Sequence, residues 1–363
     1  MSAKKFYSTL IHIILKKFLA LSETEIVPLS SPQNILIVRQ HNQLGDLLAS
    51  VSLFRAVKEK YPQCKITLIV SPVNYTGLAK NKFIDDLFIF DKRKLLLPIY
   101  FLKLYKILRK KYDAAIVPVT VSISFTSNLL CRFSNSKIRI GPKSLDGKLN
   151  ESAYLFDRLV EIDWRKYPDS HVADRILDIV RPFGIDTNNF HSEITFDEKD
   201  IKSADKFLAE MNVSSKDIVI GFHCGAGKKQ NRWSLLKYVE LIKLLAQEYN
   251  AKMYLTGSNS DEEEISYVLK HVPFKLGLFI NKSIPEVAAV VSKSTLFISN
   301  DTGIMHVAGT TNTPQISIFG PTNPLNWAPI GENKFYVRKS DLIDDVMLED
   351  VYVLCTSVLE RNR

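Results

Sequence analysis

Short apolar runs alternate along this chain with longer segments in which apolar residues recur every three or four positions. Asn34-Ile-Leu-Ile-Val-Arg39 is continuous and β-branched, the pattern of a strand buried on both faces. A polar linker closing at Ser30-Ser31-Pro32 precedes it, and a turn from Gln40 to Asp46 follows. Leu48, Val51, Phe54, Arg55 and Lys58 then give helical spacing over 47–60, and Lys65 to Val70 predicts a second strand. Strand, helix and strand in this order form a βαβ unit, so the sheet is expected to be parallel. Further strands are predicted at 88–90, 114–117 and 137–140. Helices are predicted over 95–111, over 197–211, and over 167–183 with Gly184 as its cap.

The second half repeats the alternation. Ile218–His223, Lys252–Thr256, Leu276–Ile280, Leu296–Ser299 and Gln315–Phe319 read as five strands. Helices over 234–249, 261–271, 284–293 and from 303 to about 309 lie between them. The predicted fold class is α/β, with two Rossmann-like doubly wound domains over 31–190 and 191–340 facing a cleft. A basic amphipathic segment occupies 1–30, and a C-terminal helix or tail 341–363. In such sheets ligands bind at the carboxyl ends of the strands, so chemistry is expected in the turns that follow strands.

Charge divides the chain. Residues 1–180 carry 28 Lys and Arg against 16 Asp and Glu, and residues 181–363 carry 20 against 23, within a net charge of +9. An anionic partner is therefore expected on the first half only. No basic motif with interleaved aromatics and no helix-turn-helix pattern is present, so no nucleic-acid partner is expected. Four cysteines lie far apart, without CxxC or zinc-type spacing, which excludes a disulfide scaffold and suits a reducing compartment. Leu10 to Leu21 is interrupted by Lys16 and Lys17, too short for a membrane span and broken for a signal peptide. Residues 4–21 are instead amphipathic, with Lys5, Ser8, His12 and Lys16 on one face and Phe6, Leu10, Ile13, Ile14 and Phe18 elsewhere. That suits shallow docking on a membrane or an ordinary packed helix. Leu95–Leu108, flanked by Lys92-Arg-Lys94 and Arg109-Lys-Lys111, reads as a crossover helix with basic ends, with membrane contact as the alternative.

Candidate chemistry sits in three turns. Ser299-Asn-Asp301-Thr302-Gly303-Ile-Met-His306 runs from a strand into a helix whose free amides attract phosphate. Gly303 permits close backbone approach, and Phe319-Gly320-Pro321-Thr322 ends the next strand on the same rim. A plain helix cap with a buried histidine is the alternative. Gly225-Ala-Gly227-Lys228-Lys229-Gln-Asn231-Arg232-Trp233 offers glycines for close approach and cations for phosphate, although it is neither a Walker loop nor GxGxxG. Gly45-Asp46 places a carboxylate at a helix start, either a general base or an acid favoured by the helix dipole. Asp261-Glu-Glu-Glu264 either caps a helix or offers a carboxylate to a ribose.

These motifs resemble glycosyltransferase family 9, the heptosyltransferase family of lipopolysaccharide core assembly. The resemblance spans roughly 34–330 and rests on Ile35 to Asp46, on Gly225-Ala-Gly227 with Arg232-Trp233, and on Ser299 to Ala308 continuing to Thr322. It implies a GT-B fold and an inverting transferase that needs no cofactor or catalytic metal. The implied partners are a nucleotide-sugar donor, by default ADP-heptose, and an anionic glycolipid or saccharide acceptor at the cytoplasmic face of the inner membrane, with peripheral membrane contact. It implies Asp46 as general base and Asp301, Thr302, Gly303, His306, Lys228, Lys229 and Arg232 around the donor diphosphate. Glu262 is then expected at the ribose, and Lys282 and Ser283 near the base. Where relatives often carry Lys before the Arg/His-Trp pair this chain has Asn231, for which Lys228 or Lys229 can substitute. Pro118-Val-Thr120 stands where relatives commonly show Asp-Leu-Gln. A binding protein with impaired catalysis, or a different donor sugar, is the alternative reading.

Overall fold

The computed structural model describes residues 12–40 and 42–361, so the first part of the predicted amphipathic segment, residues 4–11, lies outside the described residues. The chain divides into two compact domains, one of residues 1–75 and 81–190, the other of 76–80 and 191–363. The short stretch 76–80 joins the second domain through Lys80, whose ammonium pairs with Asp197 at 2.7 Å and Asp200 at 2.6 Å.

In the first domain the chain runs β1 (Asn34–Arg39), α1 (Leu44–Ala49), α2 (Val51–Lys60), β2 (Lys65–Val70), β3 (Asp86–Ile89), α3 (Pro98–Arg109) and β4 (Tyr112–Ile116). There follow α4 (Phe125–Phe133), β5 (Ser136–Leu145), β6 (Lys148–Leu149), β7 (Arg158–Ile162) and α5 (Val172–Arg175). The sheet order is β3-β2-β1-β4-β5-β6, with β7 parallel to β5. Pairing of β1 with both β2 and β4 is parallel, Ile35 opposite Ile66 on one side and Ala114 on the other. Ile35 to Val38 are fully buried, as an apolar run between two helical layers requires. The strand order reverses between β1 and β4, which makes the carboxyl ends of these strands the switch point where ligands settle.

Three predictions for this domain are corrected. The helix over 47–60 is two helices meeting at Ser50. The helix over 167–183 is a single turn, α5, followed by short 3-10 turns over 176–179 and 181–183. Pro182 lacks the amide an α-helix would need there, and Gly184 ends the run at φ 73°. Residues 12–19 are helical, and the inner side mixes polar and apolar residues: His12 stacks edge-on to Phe125 and bonds Tyr154 at 3.2 Å beside the half-buried Leu15 and Leu19, while Lys16, Ile13, Ile14 and Phe18 are exposed.

The second domain runs α6 (Glu198–Glu210), β8 (Val219–His223), α7 (Leu235–Tyr249), β9 (Lys252–Gly257), α8 (Glu262–His271), β10 (Gly277–Ile280) and α9 (Ile284–Val291). It continues with β11 (Leu296–Asn300), α10 (Gly303–Gly309), β12 (Gln315–Ile318), α11 (Pro324–Trp327), β13 (Lys334–Val337) and α12 (Leu348–Arg361). All neighbours in the order β10-β9-β8-β11-β12-β13 are parallel. The sheet has six strands rather than the five expected, because β13 adds an edge beside β12. The reversal falls between β8 and β11. α12 packs Val351, Cys355, Val358 and Leu359 into the same core as Ile220, Phe222, Leu241 and Ile298. Each fully buried Leu or Ile there contributes roughly 1.5–3 kcal/mol. The four cysteines are buried free thiols. Among the described residues no helix is long and apolar enough to cross a membrane.

Candidate active site

Asp46 lies in the first turn of α1, behind the carboxyl end of β1, with its side chain fully buried. Arg39, the last residue of β1, is also fully buried and reaches across. Its Nη2 donates to the Asp46 backbone carbonyl at 3.2 Å and to Asp46 Oδ1 at 3.3 Å. The same Nη2 donates to Thr120 Oγ1 at 2.6 Å, while Nε donates to Ser50 Oγ at 3.2 Å and Nη1 to the Pro118 carbonyl at 3.4 Å. Burial pulls the Arg39 guanidinium down to about 10, and the Asp46 charge acts against that fall. The Thr120 hydroxyl donates to Asp46 Oδ1. The two bonds that reach the carboxylate, from Arg39 and from Thr120, both fix Oδ1, and among the described residues Oδ2 has no hydrogen-bond partner. A buried carboxylate oxygen without a partner is costly unless something else is meant to bind it. The carboxylate is thus held through Oδ1, with Oδ2 buried and unpartnered.

The second cluster sits at the switch point of the other domain. Asn300, fully buried at the end of β11, donates through Nδ2 to the carbonyls of Cys224 at 2.8 Å and Gly225 at 3.2 Å. Its Oδ1 accepts from the Trp233 amide at 3.2 Å and the Tyr238 hydroxyl at 3.0 Å. One side chain therefore joins the 224–233 loop to the β11 turn. Asn231 completes the link, donating to Asp301 Oδ2 at 2.8 Å and to the Asp301 carbonyl at 3.2 Å. Burial raises the Asp301 carboxyl above its usual range, opposed by a hydrogen bond from Thr322 and by the charge of Lys228. Trp233 anchors the loop from below, its indole N–H donating to the Val346 carbonyl at 2.8 Å.

The structure thus brings together Asn231, Lys228, Asp301 and Thr322. Thr302 precedes α10 with no side-chain capping bond, and Lys228 and Lys229 are exposed. His306 is half-buried, its ring edge-on to Trp327 at 6.1 Å. Arg232 is turned toward its own domain: Nε donates to the Ala226 carbonyl at 2.8 Å, and Nη1 pairs with Glu264, which is 3% exposed. Of the acidic cluster opening α8, Glu264 is the member that turns inward, whereas Glu262 is exposed. Asp261 accepts from the Ser258 amide at 2.8 Å. A Cβ on Gly225 would overlap the Asp261 carboxylate, while one on Gly227 would meet open space. Gly320 is wedged against Ile343, and its carbonyl accepts from Arg338 Nε at 2.8 Å. Ser283 caps α9 by exchanging bonds with Glu286, and Lys282 lies over the Phe279 ring at 5.3 Å. Ser283 therefore has a local structural task, the capping box that Ser283-Ile-Pro-Glu286 spells. Among the described residues no group of three or more His, Cys, Asp or Glu could hold a metal ion.

Arg39, Asn300 and Glu264 are the residues that sequence reasoning passed over. The one signal for Arg39 was a charge closing an otherwise apolar strand.

Two doubly wound parallel sheets, each with a polar cluster at its switch point, define a GT-B glycosyltransferase architecture. A model of glycosyltransferase family 9 (heptosyltransferase) matches residues 101–345, more than half of the chain. The chain is 26% identical over 323 residues to lipooligosaccharide heptosyltransferase 2 of Haemophilus influenzae, across 84% of this chain and 88% of that protein. It superposes on a family 9 glycosyltransferase from Veillonella parvula with a TM-score of 0.79 at 18% identity, covering 91% of this chain and 97% of the other. The TM-score against the Escherichia coli ADP-heptose lipopolysaccharide heptosyltransferase II is 0.71 at 20% identity, covering 90% and 99%. The chain belongs to glycosyltransferase family 9 and is a glycosyltransferase.

Proposed function

We propose that this enzyme moves heptose from ADP-heptose to a sugar hydroxyl of a lipopolysaccharide core, with inversion and without a catalytic metal, at the cytoplasmic face of the inner membrane. The similarity to heptosyltransferases of lipopolysaccharide and lipooligosaccharide supports the substrate pair. The single observation that supports the chemistry is Asp46, with Oδ1 clamped by Arg39 and Thr120 and Oδ2 unpartnered.

In the proposed step Oδ2 takes the proton of the acceptor hydroxyl as that oxygen bonds to the anomeric carbon. The bond from that carbon to the β-phosphate oxygen breaks, and ADP leaves with the electron pair. Lys228 and the Thr302 hydroxyl are assigned to offset the growing phosphate charge. The acidic start of α8 is assigned to the ribose, with Glu262 exposed there, and Lys282 is assigned to the adenine side. The first domain's excess of basic residues suits a phosphorylated acceptor.

Asn231 supports a second reading. It spends its amide on Asp301 where relatives often place a lysine, which fits a protein that binds a nucleotide-sugar without transferring it. Incubating purified protein with ADP-heptose and heptose-deficient lipopolysaccharide, beside the Asp46→Ala variant, separates the two. Transfer by the wild type and loss in the variant supports the transferase. Equal inertness with retained donor binding supports the binding protein.

A further inference from the structure

One face of the first domain's sheet is covered by α3, α4 and the helix over 12–19, all packed on a core of Leu36, Val38, Leu104, Leu108, Leu130 and Cys131. The inner side of α3 is Leu104 and Leu108. Its outer side and the turn before it leave a run of large apolar residues in solvent: Leu96 is 93% exposed and Ile99 73%, with Leu97, Phe101, Leu102 and Tyr105 each more than half exposed. On the same sheet face, the helix over 12–19 docks through His12 and Leu19 and turns Ile13, Ile14 and Phe18 outward, Phe18 being 74% exposed. A soluble surface scatters single apolar residues, whereas the dense run from Leu96 to Tyr105, with three more apolar residues on a second helix over the same sheet face, marks an interaction surface.

The charges around it identify the occupant. Residues 12–20 and 92–111 hold Lys16, Lys17, three cations at 92–94, Lys103, Lys106 and three more at 109–111, with no Asp or Glu. Lys103, Lys106 and Arg109 stand exposed among the apolar side chains of α3 rather than on an opposite face. A protein partner that matched the apolar residues would have to bury these cations. A bilayer takes the apolar side chains into the acyl boundary while lysine and arginine stems reach up to anionic headgroups.

We infer that α3 and the helix over 12–19 form one docking face for an anionic phospholipid bilayer. The inference rests on the proposed location at the membrane and names the surface that achieves it. It needs neither donor nor acceptor, so its failure is separable from failure of the transferase reading.

The test is co-sedimentation of the full chain with vesicles of phosphatidylethanolamine and phosphatidylglycerol, or of phosphatidylcholine alone, with melting temperature and solution mass measured alongside. The wild type is expected to bind the anionic vesicles, less so at high salt, and to leave phosphatidylcholine in the supernatant. Ile99→Gln with Leu102→Gln should weaken binding by about tenfold or more, from the apolar area those chains lose. Ile14→Gln with Phe18→Gln should do likewise, and Lys103→Glu with Lys106→Glu should abolish preference for anionic lipid. Melting temperatures should hold, because all six side chains are exposed or nearly so. Wild-type protein that ignores both vesicles, or variants that bind as the wild type does, would overturn the inference. So would a dimer that the Ile99→Gln, Leu102→Gln variant dissociates, since the face would then be a self-association surface.

Discussion

Replacing Arg39 with methionine removes the group that holds the candidate base. The guanidinium is fully buried and donates to Asp46, Thr120, Ser50 and the Pro118 carbonyl. Methionine fills much of the same volume but leaves the Asp46 carboxylate buried beside the Thr120 hydroxyl alone. Breaking a buried pair on one side costs about 3–5 kcal/mol, because the remaining charge is uncompensated. Asp46→Asn strands the cation instead, although its other acceptors soften the loss. The double variant has no buried charge left, so its cost should fall short of the sum by about 1–3 kcal/mol. Urea denaturation of the four proteins measures that coupling. Transfer kinetics supply a second readout: without the guanidinium that fixes Oδ1, kcat should fall while the ADP-induced melting shift stays that of the wild type. Costs that add to within about 0.5 kcal/mol, together with a wild-type kcat for Arg39→Met, would refute the idea that Arg39 positions Asp46.

Thr120→Val keeps the shape and removes the second hydrogen bond to Oδ1, so kcat should fall while donor affinity in a thermal-shift titration stays constant. Gly225→Ala forces a methyl into the Asp261 carboxylate and should cost about 1–3 kcal/mol of stability with weakened nucleotide binding, measurable by melting with and without ADP. Lys228→Ala should raise the KM for donor by about tenfold with little loss of stability, since the side chain is exposed. Asp197 titrates near 2 rather than 3.8, chiefly through Lys80, so its contribution to stability is present above about pH 4 and is lost as pH falls toward 2. Asp197→Asn retains the helix cap and should flatten that part of the acid-melting profile relative to the wild type.

The strands at the centre of each sheet were legible because burial on both faces leaves an unbroken apolar run, as in Asn34–Arg39 and Leu296–Asn300. The edge strand Lys334–Val337 was not, since Lys334 and Tyr336 break the run and its pairing with β12 is a matter of topology. The 167–183 segment carries helical spacing that Pro182 defeats. Asp46 could be singled out because an acid opening a helix after a strand is local information. Its partner Thr120 is 74 residues away, and only the parallel pairing of β1 and β4 brings them together. Glu264 rather than Glu262 meets Arg232 because helix phase, which the run of three glutamates does not encode, decides which one turns inward.

The most direct measurement is the rate of heptose transfer from ADP-heptose by Asp46→Asn, beside its affinity for ADP. Loss of a general base should lower kcat by about 10²–10⁴ while the ADP-induced melting shift matches the wild type's. A variant that transfers heptose at the wild-type rate would contradict the assignment of Asp46 as the proton acceptor.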